Sequence, residues 1–582
     1  MKSKLKTLNQ FALWTSILGM IAFIYDFGFS QSVFVEQLID GFYFIVLGIG
    51  LISTFARYFR HKKIRFRKVF VFDILSVLFT LYIYFMYLFI GQPFKTDLAL
   101  ENPIWIIIAV ILTFIREVSE IKVNYNRTYL NPAQLFILSF LFIIFIGALL
   151  LLLPNATKGG ISFIDAWFTS TSAVCVTGLA VVDTSTHFTT FGQSIILFLI
   201  QTGGLGILTF ASYFSYFFKG GSTLENHLSL SEITNSKKIG EVFQTLRYII
   251  IITFTIEIIS AIFIYFSLDQ SVIDSTREQI FFSIFHAVSA FCNAGFSTLS
   301  NSLYETGYQF NYGLQLIVIL TFVFGGLGFP IVVNIIAYLK HTFRNLMRRR
   351  KNEKNYRPWV LNINSRITLV TTVSLIIIGF FGFFIIEYNN TLSDHSFFGK
   401  IVTALFQATT PRTAGFNTVD MNQLTFPAIM LTFFLMWVGA SPASTGGGIK
   451  TSTFAIAVLN ILALAKGKNR IEVFRREITD ISIKRAFATI SLSLVVIGLG
   501  IMMITFFDPE KGLLKIAFES FSAYSTVGLS LGITGDLTPA SKFIIIIVMF
   551  VGRVSMLSVM VALFKKVRGK NYRYPVEEIT IN

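Results

Sequence analysis

The sequence predicts an all-α polytopic membrane protein with four tandem span–pore-helix–span repeats in a pseudo-fourfold arrangement, preceded by four N-terminal spans. Three observations predict it. First, 54% of the 582 residues are hydrophobic and only 14% are charged, with a mean hydropathy of +0.69. That is far too apolar for a soluble domain, and many stretches approach the ~20 residues needed to cross a bilayer. Second, basic residues gather in short segments between the apolar runs. Third, a small polar residue is followed six positions later by glycine at four places: SAVCVTG (Ser172 to Gly178), SAFCNAG (Ser289 to Gly295), TTPRTAG (Thr409 to Gly415) and SAYSTVG (Ser522 to Gly528). The glycines lie 117, 120 and 113 residues apart. So regular a period says that one unit is used four times around an axis, and the simplest object built that way is a pore.

Twelve spans are expected, roughly 10–27, 39–57, 69–91, 103–117, 131–153, 189–217, 246–267, 311–339, 364–387, 425–463, 484–506 and 541–564. With these drawn, Lys2, Lys4 and Lys6 fall on one side together with the clusters Arg57 to Lys68, Lys237 and Lys238, Arg344 to Lys354, Lys466 to Arg476 and Lys565 to Arg573. The positive-inside rule makes that side, and both termini, cytoplasmic. The net charge of +17 is thereby explained without nucleic acid as a partner, and membrane lipid takes its place. The Lys-rich start is like a signal peptide, but no small-residue cleavage site follows Phe27, so the first span is expected to stay.

The domain reading is a four-span accessory bundle (1–130), pore repeats at 131–218, 246–340, 364–466 and 484–566, and a cytosolic tail at 567–582. A voltage sensor would need arginines recurring within one span, and Ile104 to Ile115 has none. Arg116 to Arg127 reads as a charged interfacial connector.

Within each repeat, a hairpin helix too short to cross is expected, at about 162–174, 279–291, 398–409 and 512–523, with Phe168, Phe285, Leu405 and Phe518 each ten residues before the glycine. Non-helical backbone at membrane depth is tolerated where it is buried or lines an aqueous path, so four such segments imply a shared axis. Helix C-termini pointing inward would favour a cation there. The residues before the glycines are Val176 and Thr177, Asn293 and Ala294, Thr413 and Ala414, Thr526 and Val527. No side-chain ligand is common to the four, so the shared ligand is the backbone. Carbonyl oxygens, turned to the axis by Gly178, Gly295, Gly415 and Gly528, would replace the hydration shell of a monovalent cation. Close helix packing would explain one such glycine, but not four at this period.

The run Trp437 to Lys450, WVGASPASTGGGIK, holds four glycines and a proline, so its span should unwind near mid-membrane. Gly446, Gly447 and Gly448 then form a candidate barrier below the glycine segments, with Lys450 at its end. Arg553 lies too deep in the last span for easy snorkelling and is a candidate functional cation. Asp183 and Asp420, each five residues after its glycine, are placed to concentrate cations at an outer mouth. The glycine pairs in QTGGLG (201–206) and FGGLGFP (324–330) are explained by close helix approach.

The strings CVTGLAVVD, TPRTAGFNTVD and ASPASTGGGIKTSTFA, in that order, closely resemble the Trk/Ktr/HKT superfamily of potassium uptake proteins, in its bacterial Trk/Ktr branch, over residues 130–570. The resemblance implies a potassium-channel-like pore, homodimeric pairing, a separate cytosolic nucleotide-binding regulatory protein and a place in the bacterial inner membrane. It implies that potassium, the substrate, is held at the filter by the carbonyls of the twelve residues named above, and that no cofactor binds. Arg553 becomes the arginine that faces the unwound loop and repels ions when the gate is shut. Four filter glycines, with no serine at the first, imply potassium over sodium.

The expected function is therefore potassium uptake driven by the membrane potential. A sodium- or proton-coupled symporter and a non-selective monovalent cation channel remain as alternatives. No Walker or Rossmann motif is present, and the six histidines, His187, His286 and His395 among them, show no ligand spacing. Cys175 and Cys292 occupy equivalent places in the first two segments and read as packing groups. The isolated intramembrane Glu257 makes no catalytic cluster, so an enzyme is not expected.

Overall fold

The computed structural model describes residues 2–60, 67–89, 104–118, 132–206, 242–269, 275–349 and 360–563. It is mostly helical. The first four helices are α1 (Lys2–Gly28), α2 (Val33–Arg60), α3 (Arg67–Phe89) and α4 (Ile104–Val118). They share a core of Ile39, Tyr43, Leu47, Ile106 and Val110, and Arg57 pairs with Glu117 within it. The end of α1 meets the rest of the chain, where the Asn155 amide donates to the Phe27 carbonyl (3.1 Å) and the Phe27 and Phe191 rings lie 5.8 Å apart.

A long helix, a short buried helix, a glycine segment and a further helix then follow one another four times along the chain. The first set is α5 (Pro132–Leu151), α6 (Phe163–Val174) and α7 (Thr190–Leu205). The second is α8 (Val242–Ser267), α9 (Thr276–Cys292), α10 (Tyr312–Leu327) and α11 (Phe329–Arg349). The third is α12 (Ile363–Ile386), α13 (Phe397–Thr409), α14 (Phe426–Trp437) and α15 (Thr451–Ala465). The fourth is α16 (Asp480–Phe507), α17 (Leu513–Ser525), α18 (Pro539–Val554) and α19 (Met556–Leu563). The long helices α8, α12 and α16 present Ile258, Phe266, Ile385, Leu499 and Phe506 on their outer faces. Such exposed apolar rows are stable only against hydrocarbon.

Of the twelve expected spans, three are interrupted among the described residues. Among the described residues, five helices are long and apolar enough to cross a membrane alone, or six if the bent pair α10–α11 is one span. The eighth span, expected as one helix over 311–339, turns by 105° between Leu327 and Phe329, because Gly328 takes φ +83°. The last span breaks at Ser555, φ 74°. The tenth breaks where expected, between Trp437 and Thr451. Residues 207–217 of the sixth span, Lys237 and Lys238, Arg350 to Lys354, residues 119–127 of the connector and the tail at 567–582 lie outside the described residues.

Short buried helices pack against the inner helix of another set. Helix α9 lies on α7, α13 on α10, α17 on α14, and α6 on α18, so the sequence of contacts returns to its start. Lys542 on α18 bonds Asp165 on α6 at 2.7 Å across that last junction. Inside each set, the N-cap of the inner helix is tied back to the end of the long helix or the turn that follows it. Thr189 donates its hydroxyl to the Asn155 carbonyl (2.7 Å) and Asn311 its amide to the Ser267 carbonyl (2.7 Å). Thr425 donates its hydroxyl and amide to Glu387 (2.6 and 2.9 Å), and Thr538 does the same to Asp508 (2.8 and 3.1 Å).

Burial pushes the Glu387 carboxyl up, but the hydrogen bonds from Thr425, Thr391 and Asn390 more than offset this and hold it below the ordinary carboxylate value. A carboxyl lowered on folding adds stability that is present above its unfolded pKa and is lost as pH falls through its folded one. Glu387→Gln should therefore destabilise the purified protein by about 1–3 kcal/mol at neutral pH. In thermal unfolding of both proteins in detergent, the gap in midpoint should shrink as the buffer is taken below the carboxylate range; a gap unchanged with pH would contradict the argument.

Candidate functional site

The four short helices deliver their chains to a common place. Ser162 and Ser396 start two of them, accepting the amides of Asp165 (3.2 Å) and Gly399 (3.1 Å). Phe168, Phe285, Phe406 and Phe518 anchor them, each fully buried. In the third set the anchor is thus Phe406 and not the expected Leu405, which is only half-buried. The same one-residue shift affects the polar position. Thr410, not Thr409, donates to the Phe416 carbonyl (2.6 Å), as Ser289 donates to that of Phe296 (2.7 Å). Thr409 instead bonds back to the Leu405 carbonyl of its own helix (2.7 Å). The third set is one residue shorter between its buried phenylalanine and its glycine, so a fixed six-residue spacing misaligns it.

Ser172 and Ser522 have a different role. Their hydroxyls accept the amides of Gly178 (3.0 Å) and Gly528 (3.1 Å). The polar residue that recurs in the motif is therefore a clamp on the segment it precedes.

Backbone conformation alternates in all four segments. Val176, Asn293, Thr413 and Thr526 have φ of 58°, 60°, 79° and 50°, and Gly178, Gly295, Gly415 and Gly528 have 92°, 68°, 81° and 94°. Left-handed backbone costs an L residue about 1–2 kcal/mol, so four non-glycine residues held this way mark a conformation imposed by its surroundings. The glycines touch one another's chains in turn. A β-carbon on Gly178 would lie 2.3 Å from the Ala294 carbonyl oxygen, on Gly295 3.0 Å from that of Ala414, on Gly415 2.2 Å from that of Val527, and on Gly528 2.3 Å from that of Thr177. These four contacts close on themselves.

Directly against this ring lies the segment between α14 and α15. Its two ends pair as a parallel bridge between Val438 and Ile449. The Gly447 amide donates to the Thr526 hydroxyl at 2.8 Å. The Asn293 carboxamide bonds the hydroxyls of Thr413 (3.1 Å) and Thr445 (3.2 Å). Added β-carbons on Gly446 and Gly447 would lie 2.2 and 2.5 Å from the hydroxyl oxygens of Thr413 and Thr526. On its other side the segment meets the bend after α10, where the Phe329 amide donates to Ala443 (3.2 Å) and the Ser441 amide to Gly326 (3.0 Å).

Arg412 reaches the segment at the Gly439 carbonyl (3.5 Å), and two further cations hold it by its carbonyls. Arg553 donates to the Thr445 carbonyl and, at 2.6 Å, to that of Gly203. Lys450 donates to the Gly446 carbonyl at 2.5 Å. Gly448 takes φ +66° and packs on Ser525. The expected set Gly446, Gly447, Gly448, Lys450 and Arg553 is thus one assembly. Thr445 and Gly203 belong to it as well, and sequence reasoning missed both. Thr445 lies inside the WVGASPASTGGGIK run but is not singled out there, and Gly203, read in QTGGLG as a close-packing glycine, contributes a carbonyl.

Asp183 and Asp420 are half-buried turn residues. Asp183 accepts the amides of Ser185 (2.7 Å) and Thr186 (3.2 Å), and Asp420 that of Asn422 (2.9 Å). Both carboxylates thus organise the loops beyond the ring. Cys175 and Cys292 are buried free thiols.

A helical membrane fold with a closed ring of backbone carbonyls and no side-chain ligand common to its four parts has the features of a transporter of small cations. The family model described as TrkH, cation transport protein, matches residues 103–574, and the chain belongs to that Trk/Ktr potassium-uptake family, a family of transporters and not of enzymes. It is 37% identical over 451 residues to the Ktr system potassium uptake protein B of Bacillus subtilis, covering 77% of this chain and 96% of that protein. It is 37% identical over 465 residues to the potassium/sodium uptake protein NtpJ of Enterococcus hirae, covering 78% and 98%. The crystal structure of the potassium transporter TrkH from Vibrio parahaemolyticus shares the fold, with a TM-score of 0.60 at 17% identity, covering 86% of this chain and 99% of that one. The family match begins at residue 103 and so takes in α4, earlier than the resemblance in the sequence motifs.

Charge-assisted hydrogen bonds contribute about 1.5–3 kcal/mol each, so Arg553→Gln should free the segment 438–450 and raise basal rubidium uptake by about tenfold or more. Tracer uptake into liposomes measures this. Unchanged or lower uptake by a correctly inserted variant would show that Arg553 does not restrain the path.

Proposed function

We propose that residues 131–566 form four units around a pseudo-fourfold axis and carry potassium inward through a filter of backbone carbonyls. The carrying observation is the closed cycle of contacts, from Gly178 to Ala294, Gly295 to Ala414, Gly415 to Val527 and Gly528 to Thr177. A ring that uses only backbone treats all four repeats alike although their side chains differ, which suits a spherical, dehydrated monovalent cation. In this reading Val176, Thr177, Asn293, Ala294, Thr413, Ala414, Thr526, Val527 and the four glycines supply the ligating carbonyls. The segment 438–450, held by Arg553 and Lys450, is the gate, and Asp183 and Asp420 lie at the outer mouth.

The membrane potential would supply about 2.3 kcal/mol per unit charge per 100 mV. Cytoplasmic termini in a bacterial inner membrane, homodimeric pairing and a separate cytosolic nucleotide-binding subunit belong to the same proposal and rest on family membership and loop charge. A second reading, sodium-coupled or sodium-permeable transport, is favoured by one observation: a relative at 37% identity is described as a potassium/sodium uptake protein.

Rubidium and sodium uptake into proteoliposomes, with Gly178→Ser beside the wild type, tests both. The proposal expects potassium-blocked rubidium uptake that is independent of sodium and loses selectivity in the variant. The reason is steric: at φ +92° any β-carbon is strained, and this one would meet the Ala294 carbonyl at 2.3 Å. Sodium-dependent rubidium uptake would favour the second reading. Absence of any monovalent cation uptake would sink both.

A further inference from the structure

Three of the four short helices each send one buried polar side chain to the chain that follows the glycine. In the second set His286, fully buried, bonds the Phe282 carbonyl through Nδ1 (2.9 Å) and the Ser297 hydroxyl through Nε2 (2.9 Å). The Ser297 oxygen in turn accepts the Leu299 amide at 3.0 Å. One arrangement of protons satisfies every atom: Nδ1–H donates to Phe282, Nε2 accepts from Ser297, and the imidazole is neutral. In the third set the Gln407 amide donates to the Thr418 hydroxyl at 3.1 Å. In the fourth set Glu519, fully buried, accepts the hydroxyls of Ser530 and, at 3.0 Å, Thr534.

The three side chains occupy one position in the repeat. His286 and Glu519 are each nine residues before their glycines. Gln407 is eight before Gly415, the one-residue shortening already seen for Phe406 and Thr410. Their partners come two or three residues after the glycine, apart from the additional Thr534. The first set has Thr169 at this position, and its hydroxyl turns back to the Asp165 carbonyl of its own helix (2.8 Å), leaving the outgoing chain unbraced from there.

Resting on the carbonyl-filter reading, we infer that His286, Gln407 and Glu519 are positioning residues that set the filter's discrimination between potassium and sodium by fixing the outgoing limb of three of its four segments. They touch no ion. A ring of carbonyls rejects a smaller cation only while it resists contracting around it, and the hydroxyl clamps from Ser172, Ser289, Thr410 and Ser522 reach no further than the glycine or the residue after it. A bond from a packed helix to the limb two or three residues beyond the glycine supplies that stiffness. Each brace uses a different chemistry for the same task, an imidazole, a carboxamide and a carboxylate. What is constant is thus the connection and not the charge.

The test uses the full-length protein in liposomes and reads the ratio of rubidium to sodium uptake. Glu519→Ala, His286→Ala and Gln407→Ala should each lower the ratio by about tenfold, the equivalent of one net hydrogen bond. Glu519→Gln, which still accepts from Ser530 and can donate to Thr534, should recover most of it. Thr169→Val removes a hydroxyl from the matching position and should keep the wild-type ratio. Where an alanine variant does not insert, Ser297→Ala, Thr418→Val or Ser530→Ala cuts the same bond from the other end and is read the same way. Conducting variants with the wild-type ratio, or Thr169→Val as damaging as the braces, would overturn the inference. A wild type that carries neither ion strikes at the filter reading itself, whereas a selective wild type with indifferent variants strikes at the braces alone.

Discussion

Inside hydrocarbon each unpaired backbone N–H or C=O costs several kcal/mol, and the described residues of this chain set four glycine segments and the loop 438–450 among buried helices. Their placement follows from that cost. Each glycine segment is clamped by the hydroxyl of Ser172, Ser289, Thr410 or Ser522. The loop covers its own ends by pairing Val438 with Ile449 and covers the bend at Gly328 by trading amides with Gly326 and Phe329. The Thr445 and Gly446 carbonyls are met by the cations Arg553 and Lys450, and that of Gly439 by Arg412. The cations are thus hydrogen-bond donors to irregular backbone as well as charges at depth, and the two roles are inseparable.

The loop and the glycine segments form one bonded unit. Thr526, Thr413 and Asn293, each in left-handed backbone just before the ring, use their side chains to bond the loop or one another. Displacing the loop would remove hydrogen-bond partners from Asn293 and Thr526, two of the four residues whose strained conformation depends on their surroundings. Under the proposed function this ties the gate to the filter by chemistry and not only by proximity.

Much of this was legible in the sequence because the repeat is written in residue types that backbone geometry demands. Four glycines at a steady period gave the segments, and the short helices lie within a turn of where hydrophobic patterning puts them. The broken span at Trp437 was readable from glycine and proline density. Three things were hidden. The bend at Gly328 sits in a string whose glycines also serve close packing: Gly325 would meet the Phe291 carbonyl at 1.9 Å if it carried a β-carbon. The residue lost from the third set could not be seen while Thr409 and Thr410 were both hydroxyls beside a fixed spacing. The caps from Glu387 and Asp508 to Thr425 and Thr538 join residues 38 and 30 positions apart, with Ser267 and Asn155 doing the same task in the other sets through carbonyls. A contact made by a side chain in two sets and by backbone in two leaves no common letter to find.

The same reasoning explains why the repeats diverged where they did. Positions whose backbone faces the ring kept their conformation, because each glycine packs on a neighbour's carbonyl and one misplaced segment would open the cycle at two junctions. Positions behind the ring had only to connect a helix to the outgoing limb, and any side chain with a hydrogen-bonding tip at the right reach meets that need. Histidine, glutamine and glutamate therefore stand in equivalent places, whereas glycine stands in all four. The inner helices follow the same logic in reverse. Among the described residues the third alone is unwound over a dozen residues and supplies a loop, and Arg553 from the fourth reaches both that loop and Gly203 in the first. A single element from one set can serve the whole ring because all four segments meet at one place, and one loop against that place touches three of them.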